Sequence, residues 1–140
     1  FFGYNLNMQT NTIQNTSIVE QLQSTFATHT RTHAEHLAKD YIIKNPPEVA
    51  DFIGENLFLL ELLEEIPAQI RKHFGKSQEL ILQFFSDPED PNYHRLSIGI
   101  PTKKDIENSS ALLKKFDENW WFANERKSHS KILIDLESAK

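Results

Sequence analysis

The chain has 140 residues, of which 39% are hydrophobic and 25% charged, and it carries a formal net charge of -5. This length and composition are typical of one folded domain and disfavour extensive disorder. The chain contains no cysteine, which excludes disulfides, thiolate nucleophiles and cysteine-ligated zinc or iron–sulfur sites. The excess of 20 acidic over 15 basic residues disfavours broad binding to a phosphate backbone.

The first 15 residues are rich in Asn, Gln and Thr and show no apolar periodicity, so we expect a flexible N-terminal tail over residues 1–15. We expect residues 16–140 to form a single α+β domain. The opening lacks a basic segment followed by a continuous apolar stretch, so it does not resemble a signal peptide. The longest apolar run, residues 57–63, is too short to cross a bilayer. These features favour a cytoplasmic protein without membrane contacts.

Two helices are expected in the first half of the chain. Val19, Leu22, Phe26 and Leu37 recur at helical spacing, which predicts a helix that begins near residue 16 and ends before Pro46.

The second helix is expected to begin at Pro47, a residue type favoured in the first turn. Pro67 is expected to kink or restart this helix. Three further apolar residues widen its apolar stripe beyond what one buried face requires: Phe58, Leu59 and Leu62.

The second half of the chain changes to a period of two residues, which predicts strands over 79–85, 94–100 and 131–137. Residues 86–93 contain two prolines and three acidic residues, and they are expected to form the loop of a hairpin. A capping pattern at residues 102–105 predicts a helix that continues to about residue 124.

The predicted fold is therefore α+β, with element order α-α-β-β-α-β and a three-stranded, mainly antiparallel sheet covered by helices. Three short strands leave exposed edges, and the first two helices carry more apolar surface than such a sheet covers. Self-association would cover both the exposed strand edges and the excess apolar surface, so a homodimer is expected.

Six segments together resemble a family of small uncharacterised proteins common in cyanobacterial genomes, over roughly residues 50–138. The segments are ENLFL at 55–59, IRKHF at 70–74, LIL at 80–82, SDPE at 86–89, FDENWW at 116–121 and KILIDLE at 131–137. The resemblance implies no activity, cofactor or catalytic residue.

A metal-assisted hydrolase is the first alternative function. His29, His33 and His36 lie on one face of the first predicted helix, where neighbouring imidazoles are able to share a metal ion. The hairpin loop would add carboxylate ligands from Asp87, Glu89 and Asp90. The histidine spacing does not match H-E-x-x-H and the loop does not match an EF-hand, so packing and turn formation explain these residues better. No metal and no cofactor are expected.

Nucleic-acid binding is the second alternative. Three aromatic residues, Trp120, Trp121 and Phe122, would offer stacking surfaces beside a set of late basic residues: Lys103, Lys104, Lys114, Lys115, Arg126, Lys127 and Lys131. Acidic residues are interleaved with these bases and leave the patch close to neutral. Nucleic acid is therefore not the expected partner.

The leading hypothesis is a non-enzymatic protein–protein interaction module, with an antitoxin- or immunity-like role as one form of it. Four glycines cannot supply a phosphate-binding loop and no G-x-S-x-G sequence is present, so no catalytic residue is assigned. Residues 48–66 contain six acidic residues and no basic residue, beside the most apolar helix. The predicted partner-binding residues are Phe58, Leu59, Leu62, Trp121 and Phe122.

Overall fold

The computed structural model describes residues 18–20, 22, 31–103 and 105–138, and the side chains at 31 and 32 are outside this description. The predicted N-terminal tail over residues 1–15 lies outside the described residues. Residues 18–20 and 22 are helical, and the side chains of Val19 and Leu22 are buried, as the helical spacing predicts.

From residue 31 to residue 74 the structure shows three helices: α1 (Arg31–Asp40), α2 (Pro46–Glu55) and α3 (Leu59–Phe74). The prediction of one continuous helix from Pro47 is wrong, because α2 ends at Glu55 and Asn56 is its C-cap. The Asn56 backbone N–H donates to the carbonyl of Ile53 at 2.9 Å, and its side-chain amide donates to the carbonyl of Phe52 at 2.8 Å. These bonds occupy carbonyls that the end of a helix leaves without partners.

Of the two outcomes predicted for Pro67, a kink or a restart, the restart is wrong, because Pro67 lies inside the continuous helix α3. Proline has no N–H and leaves the carbonyl four residues earlier, that of Leu63, without its helical donor. The hydroxyl of Tyr41 donates to this carbonyl at 2.6 Å. The helix therefore continues through Pro67 to Phe74.

Within the described residues, the sheet contains four strands: β1 (Ile42–Ile43), β2 (Ile81–Asp87), β3 (Asp90–Thr102) and β4 (Ile132–Ser138). Their spatial order is β1-β2-β3-β4, with β1 parallel to β2, β2 antiparallel to β3, and β3 parallel to β4.

The predicted combination of helices and a sheet is confirmed, but a three-stranded, mainly antiparallel sheet and the element order α-α-β-β-α-β are wrong in detail. The additional strand β1 is two residues long, too short to show a period in the sequence, and lies where the first helix was expected to continue. The hairpin strands β2 and β3 also extend through most of the predicted loop, which is reduced to a turn at Pro88 and Glu89.

The last helical region begins with α4 (Ile106–Phe116), continues through a π-helical turn (Asp117–Trp121) into α5 (Phe122–Asn124), and ends in a 3-10 segment (Glu125–Ser128). The predicted cap at residue 102 is wrong. Asp105 is the N-cap, because its carboxylate accepts the backbone N–H of Asn108 at 2.9 Å.

The helices cover one face of the sheet. Leu82, Leu96, Ile98 and Ile134 point into the buried core, together with helix residues such as Phe116. The parallel pairs β1/β2 and β3/β4 run in opposite directions along the sheet. If the connections from β1 to β2 and from β3 to β4 were both right-handed, their helices would lie on opposite faces of the sheet. Because the helices lie on one face, the two connections have opposite hands.

The other face of the sheet has no helix on it among the described residues, and we call it the open face. Its outward side chains include Ile42, Phe85 and Leu133, which are 46%, 39% and 37% exposed. In the described part of the chain, no helix combines the length and the apolar character needed to span a membrane.

Candidate protein-interaction site

The predicted partner-binding residues divide into two groups. Leu59, Leu62 and Trp121 are buried in the core, so the folded chain does not present them on its surface. The wide apolar stripe that suggested a partner surface is used internally, because α3 contacts α1, α4 and the 3-10 segment. Phe58 and Phe122 are 48% and 64% exposed, and they remain available to a partner.

The predicted metal ligands do not form a metal centre within the described residues. His33 and His36 on α1 direct their Nδ1 atoms at the two oxygens of the Glu64 carboxylate on α3. His29 lies outside the described residues. Within the described ranges, no group of three ligating residues has a geometry that would hold a metal ion.

The loop carboxylates bond to their own turn. Asp87 accepts the backbone N–H of Glu89 at 2.9 Å, and Asp90 accepts that of Asn92 at 3.1 Å. These are the local side-chain bonds that favour Asp in turns. The structure therefore does not bring the loop carboxylates into bonding contact with His33 or His36.

Of the residues named for nucleic-acid stacking, Trp121 is buried and lies against Trp120, with ring centroids 6.0 Å apart. Its ring is therefore not free to stack on a base. Lys104 lies outside the described residues. Lys131 has its Nζ 5.8 Å from the centre of the Phe52 ring, in a cation–π contact on the helical side of the sheet.

A groove of about 400 Å³ lies between α2 and the β2/β3 hairpin on this helical side. We call it the α2 groove, and its lining side chains form two groups. The aromatic wall consists of Phe52, Phe84 and His94. The polar rim consists of Glu48, Asp51, Glu55, Asn56, Asn92 and Lys131.

The three rings of the aromatic wall lie side by side, with Phe84 between the other two. The rings of Phe52 and Phe84 have centroids 5.5 Å apart, and Phe84 and His94 are stacked at 5.4 Å with 28° between their planes. Phe52 is buried and Phe84 half-buried, whereas His94 is exposed at the mouth of the groove.

The exposed Phe58 lies next to the same groove. It follows the groove residue Asn56 by two positions, and its ring meets that of His129 at a centroid distance of 4.7 Å. His129 in turn precedes the groove residue Lys131 by two positions. One of the predicted partner-binding residues therefore borders a concave site that sequence reasoning missed.

The open face carries a different arrangement of charge and rings. Arg95 on β3 has its guanidinium carbon 4.6 Å from the centre of the Tyr93 ring and 5.5 Å from that of Phe85. Its Nε is buried without a hydrogen-bond partner among the described residues. Toward the other end of the sheet, the Glu137 carboxylate lies over Gly99, where a methyl group would collide with it.

Among the described residues, two groups have clearly shifted pKa values, and both lie outside the α2 groove. Burial raises the pKa of the Tyr41 phenol well above its usual value, and the neighbouring Asp40 charge adds to the increase. Burial also raises the pKa of Asp117, and the charges of Glu125, Asp135 and Glu118 add to it. Both shifts favour the neutral form of the group.

Part of this site was visible in the sequence. The three rim carboxylates of α2 fall on one helical face, and they belong to the acidic segment 48–66 noted from composition. The aromatic wall was not visible, because Phe84 and His94 come from two strands and meet Phe52 only after α2 packs on the hairpin. Comparison with family models, curated proteins and solved structures found no match to this chain.

Proposed function

We propose that this protein is a non-enzymatic protein–protein interaction module that acts as a homodimer, and that the two copies meet through their open faces. The observation that supports it is the open face itself. Isolated exposed apolar residues are ordinary on a protein surface. Here, however, Ile42, Phe85 and Leu133 share one face of the sheet with Arg95, whose guanidinium has no ion pair among the described residues.

The open face is self-complementary about a two-fold axis that lies in the interface and runs perpendicular to the strands. Such an axis near Ser97 places each strand antiparallel to its own copy. Phe85 pairs across the sheet with Arg95, and Ile81 pairs with Gly99. These two cross-strand pairs lie at equal distances from Ser97, on opposite sides of it. The axis therefore brings Phe85 of one copy to Ile81 of the other, and Leu133 of one copy to Leu133 of the other.

The charges follow the same symmetry. Arg95 and Gly99 lie on opposite sides of Ser97, about 13 Å apart along β3. The axis therefore places Arg95 of each copy over Gly99 of the other, where the Glu137 carboxylate lies. Neither Arg95 nor Glu137 has an ion pair among the described residues, so the dimer would form two new ones.

The same layout favours protein over nucleic acid as the partner of this face. Arg95 with its two rings would suit a base, but Asp135 and Glu137 occupy the adjoining strand β4, where they would repel a phosphate chain. The metal-assisted hydrolase is not proposed, because His33 and His36 meet Glu64 and not the loop carboxylates. An antitoxin- or immunity-like role in the cytoplasm remains part of this proposal, supported by the acidity and the lack of cysteine.

Analytical ultracentrifugation across a range of concentrations tests the dimer. We expect the wild type to sediment as a dimer and Arg95→Glu to sediment as a monomer. Glu137→Arg should also yield a monomer, because the new arginine of each copy would face Arg95 of the other copy and the two positive charges would repel. The double variant, Arg95→Glu with Glu137→Arg, should dimerise again, because the exchanged charges still attract.

Ile106→Glu is a matched control, since Ile106 is highly exposed but lies on α4 and away from the open face. It should leave the dimer intact, whereas Leu133→Glu should disrupt it. A monomeric wild type would overturn the proposal. A monomer that dimerises only after removal of residues 1–15 would assign the open face to that segment instead.

A further inference from the structure

We propose that the α2 groove binds an arginine side chain within a basic segment of a second, different protein. The groove lies on the helical side of the sheet and the open face on the other, so the two proposals concern separate surfaces. One can fail while the other holds.

The aromatic wall selects a flat cation. Phe84 and His94 are stacked nearly parallel, and His94 presents its outer face at the mouth of the groove. A guanidinium is planar, stacks on aromatic rings and loses less hydration than an ammonium group. Arginine therefore suits this wall better than lysine.

The rim supplies the opposite charge. Glu48, Asp51 and Glu55 lie on the exposed face of α2 at spacings of three and four residues. None of the three forms an ion pair with another described residue. Glu48 accepts a hydrogen bond from the side-chain amide of Asn45 at 2.5 Å, and this bond leaves its second oxygen available.

Lys131 already places a cation beside the aromatic wall. Its ammonium lies over the Phe52 ring, with no carboxylate of the described residues within ion-pair distance. The lysine acts as an internal competitor, because a guanidinium that enters the groove meets the positive charge of Lys131. Removal of that charge should therefore strengthen binding.

A protein segment fits the groove better than a free amino acid. The groove is open to solvent and has room for more than one side chain. Phe58 continues the surface beyond the groove and would contact residues that flank the arginine. We therefore expect the second protein to present arginine in an exposed, extended or loop segment.

The test is an NMR titration of the ¹⁵N-labelled protein with a short synthetic peptide of glycine and serine around a central arginine. We expect shift changes at the amides of α2, of His94 and of Lys131. The same peptide with citrulline, which keeps the shape of arginine but has no charge, should bind at least tenfold more weakly. A lysine peptide should be intermediate.

Variants of exposed residues and of the half-buried Lys131 separate the contributions without disturbing the core. Asp51→Asn and Glu55→Gln should each weaken the arginine peptide about threefold, the usual size for one exposed ion pair. His94→Ala should weaken it through loss of stacking, and Lys131→Met should strengthen it about threefold. Glu61→Gln, an exposed carboxylate on α3, should change nothing.

Equal binding of arginine and citrulline peptides would overturn the proposal, as would shift changes that avoid α2 and His94. Arg95→Glu tests whether the two proposals are independent of each other. It should abolish the dimer and leave the affinity for the arginine peptide unchanged.

Discussion

The hydroxyl of Tyr41 occupies the one carbonyl of α3 that Pro67 leaves without a helical donor, that of Leu63. Tyr41 is buried and lies between α1 and β1, so this bond joins these two elements to α3. Burial raises the pKa of its phenol, which keeps the hydroxyl protonated and able to donate. The position of Pro67 inside a helix is thus compatible with the fold only because of a residue that is distant in sequence.

Tyr41→Phe should reduce the free energy of unfolding by about 1–3 kcal/mol, because it leaves a buried carbonyl without a donor. In a Pro67→Ala background the restored N–H at position 67 can serve the same carbonyl. The cost of Tyr41→Phe should therefore be clearly smaller there. Urea denaturation of the four proteins in this cycle measures the difference, and equal costs in both backgrounds would refute the explanation.

The turn that leads into β4 should be stabilised by glycine. His129 and Ser130 have φ values of 52° and 62°, and the N–H of Lys131 donates to the carbonyl of Ser128 at 2.9 Å. A non-glycine residue in this conformation is strained. Ser130→Gly should raise the free energy of unfolding by about 0.5 kcal/mol.

Ser110→Gly is the matched control for that substitution, because Ser110 is an exposed residue inside α4. The same change should cost about 0.5 kcal/mol there, since glycine is less favourable than serine in a helix interior. Thermal unfolding followed by circular dichroism compares the two variants. A loss of stability in both would contradict the proposed relief of backbone strain.

Asp117 should make the protein less stable as the pH rises. Its pKa in the folded chain is raised above its ordinary value, mainly by burial, so the folded state binds this proton more tightly than the unfolded state does. Its contribution therefore favours folding below the ordinary pKa and is lost as the pH rises through the folded pKa. Asp117→Asn should stabilise the protein at pH 7 by about 0.5 kcal/mol. A gain of the same size at pH 3 would contradict this account.

Arg71 should not be replaceable by lysine. Its guanidinium donates to the Asp40 carboxylate at 3.0 Å, to the Asp40 carbonyl at 3.1 Å and to the Gln78 carbonyl at 3.1 Å. These bonds attach α3 to the end of α1 and to the segment before β2. Lysine cannot reproduce the planar fork.

We expect Arg71→Lys to lower the free energy of unfolding by about 1–2 kcal/mol. Asp40→Asn keeps the carbonyl bonds of Arg71 and removes only the charge of one partner, so it should cost less. Urea denaturation of both variants ranks the two effects. A larger loss in Asp40→Asn than in Arg71→Lys would show that the ion pair matters more than the fork.

The long periodic elements were predictable because their signals are local. Alternation of apolar residues identified the core of each of three strands, and helical spacing identified the helical regions on either side of the hairpin. Strand β1 was not predictable, since Ile42 and Ile43 become a strand only through their pairing with Ile81 and Leu82. The break at Asn56 and the continuity at Pro67 likewise depend on bonds made by individual side chains.

The amino-acid sequence by itself determined the mixed helix and sheet class, the acidic face of α2 and the lack of cysteine chemistry. These follow from composition and from periodicity within single segments. Tertiary structure alone decided that Leu59, Leu62 and Trp121 are core residues while Phe58 and Phe122 are exposed. It also decided which sheet face is open and which rings form the α2 groove, because each depends on how distant segments pack and not on the pattern within any one of them.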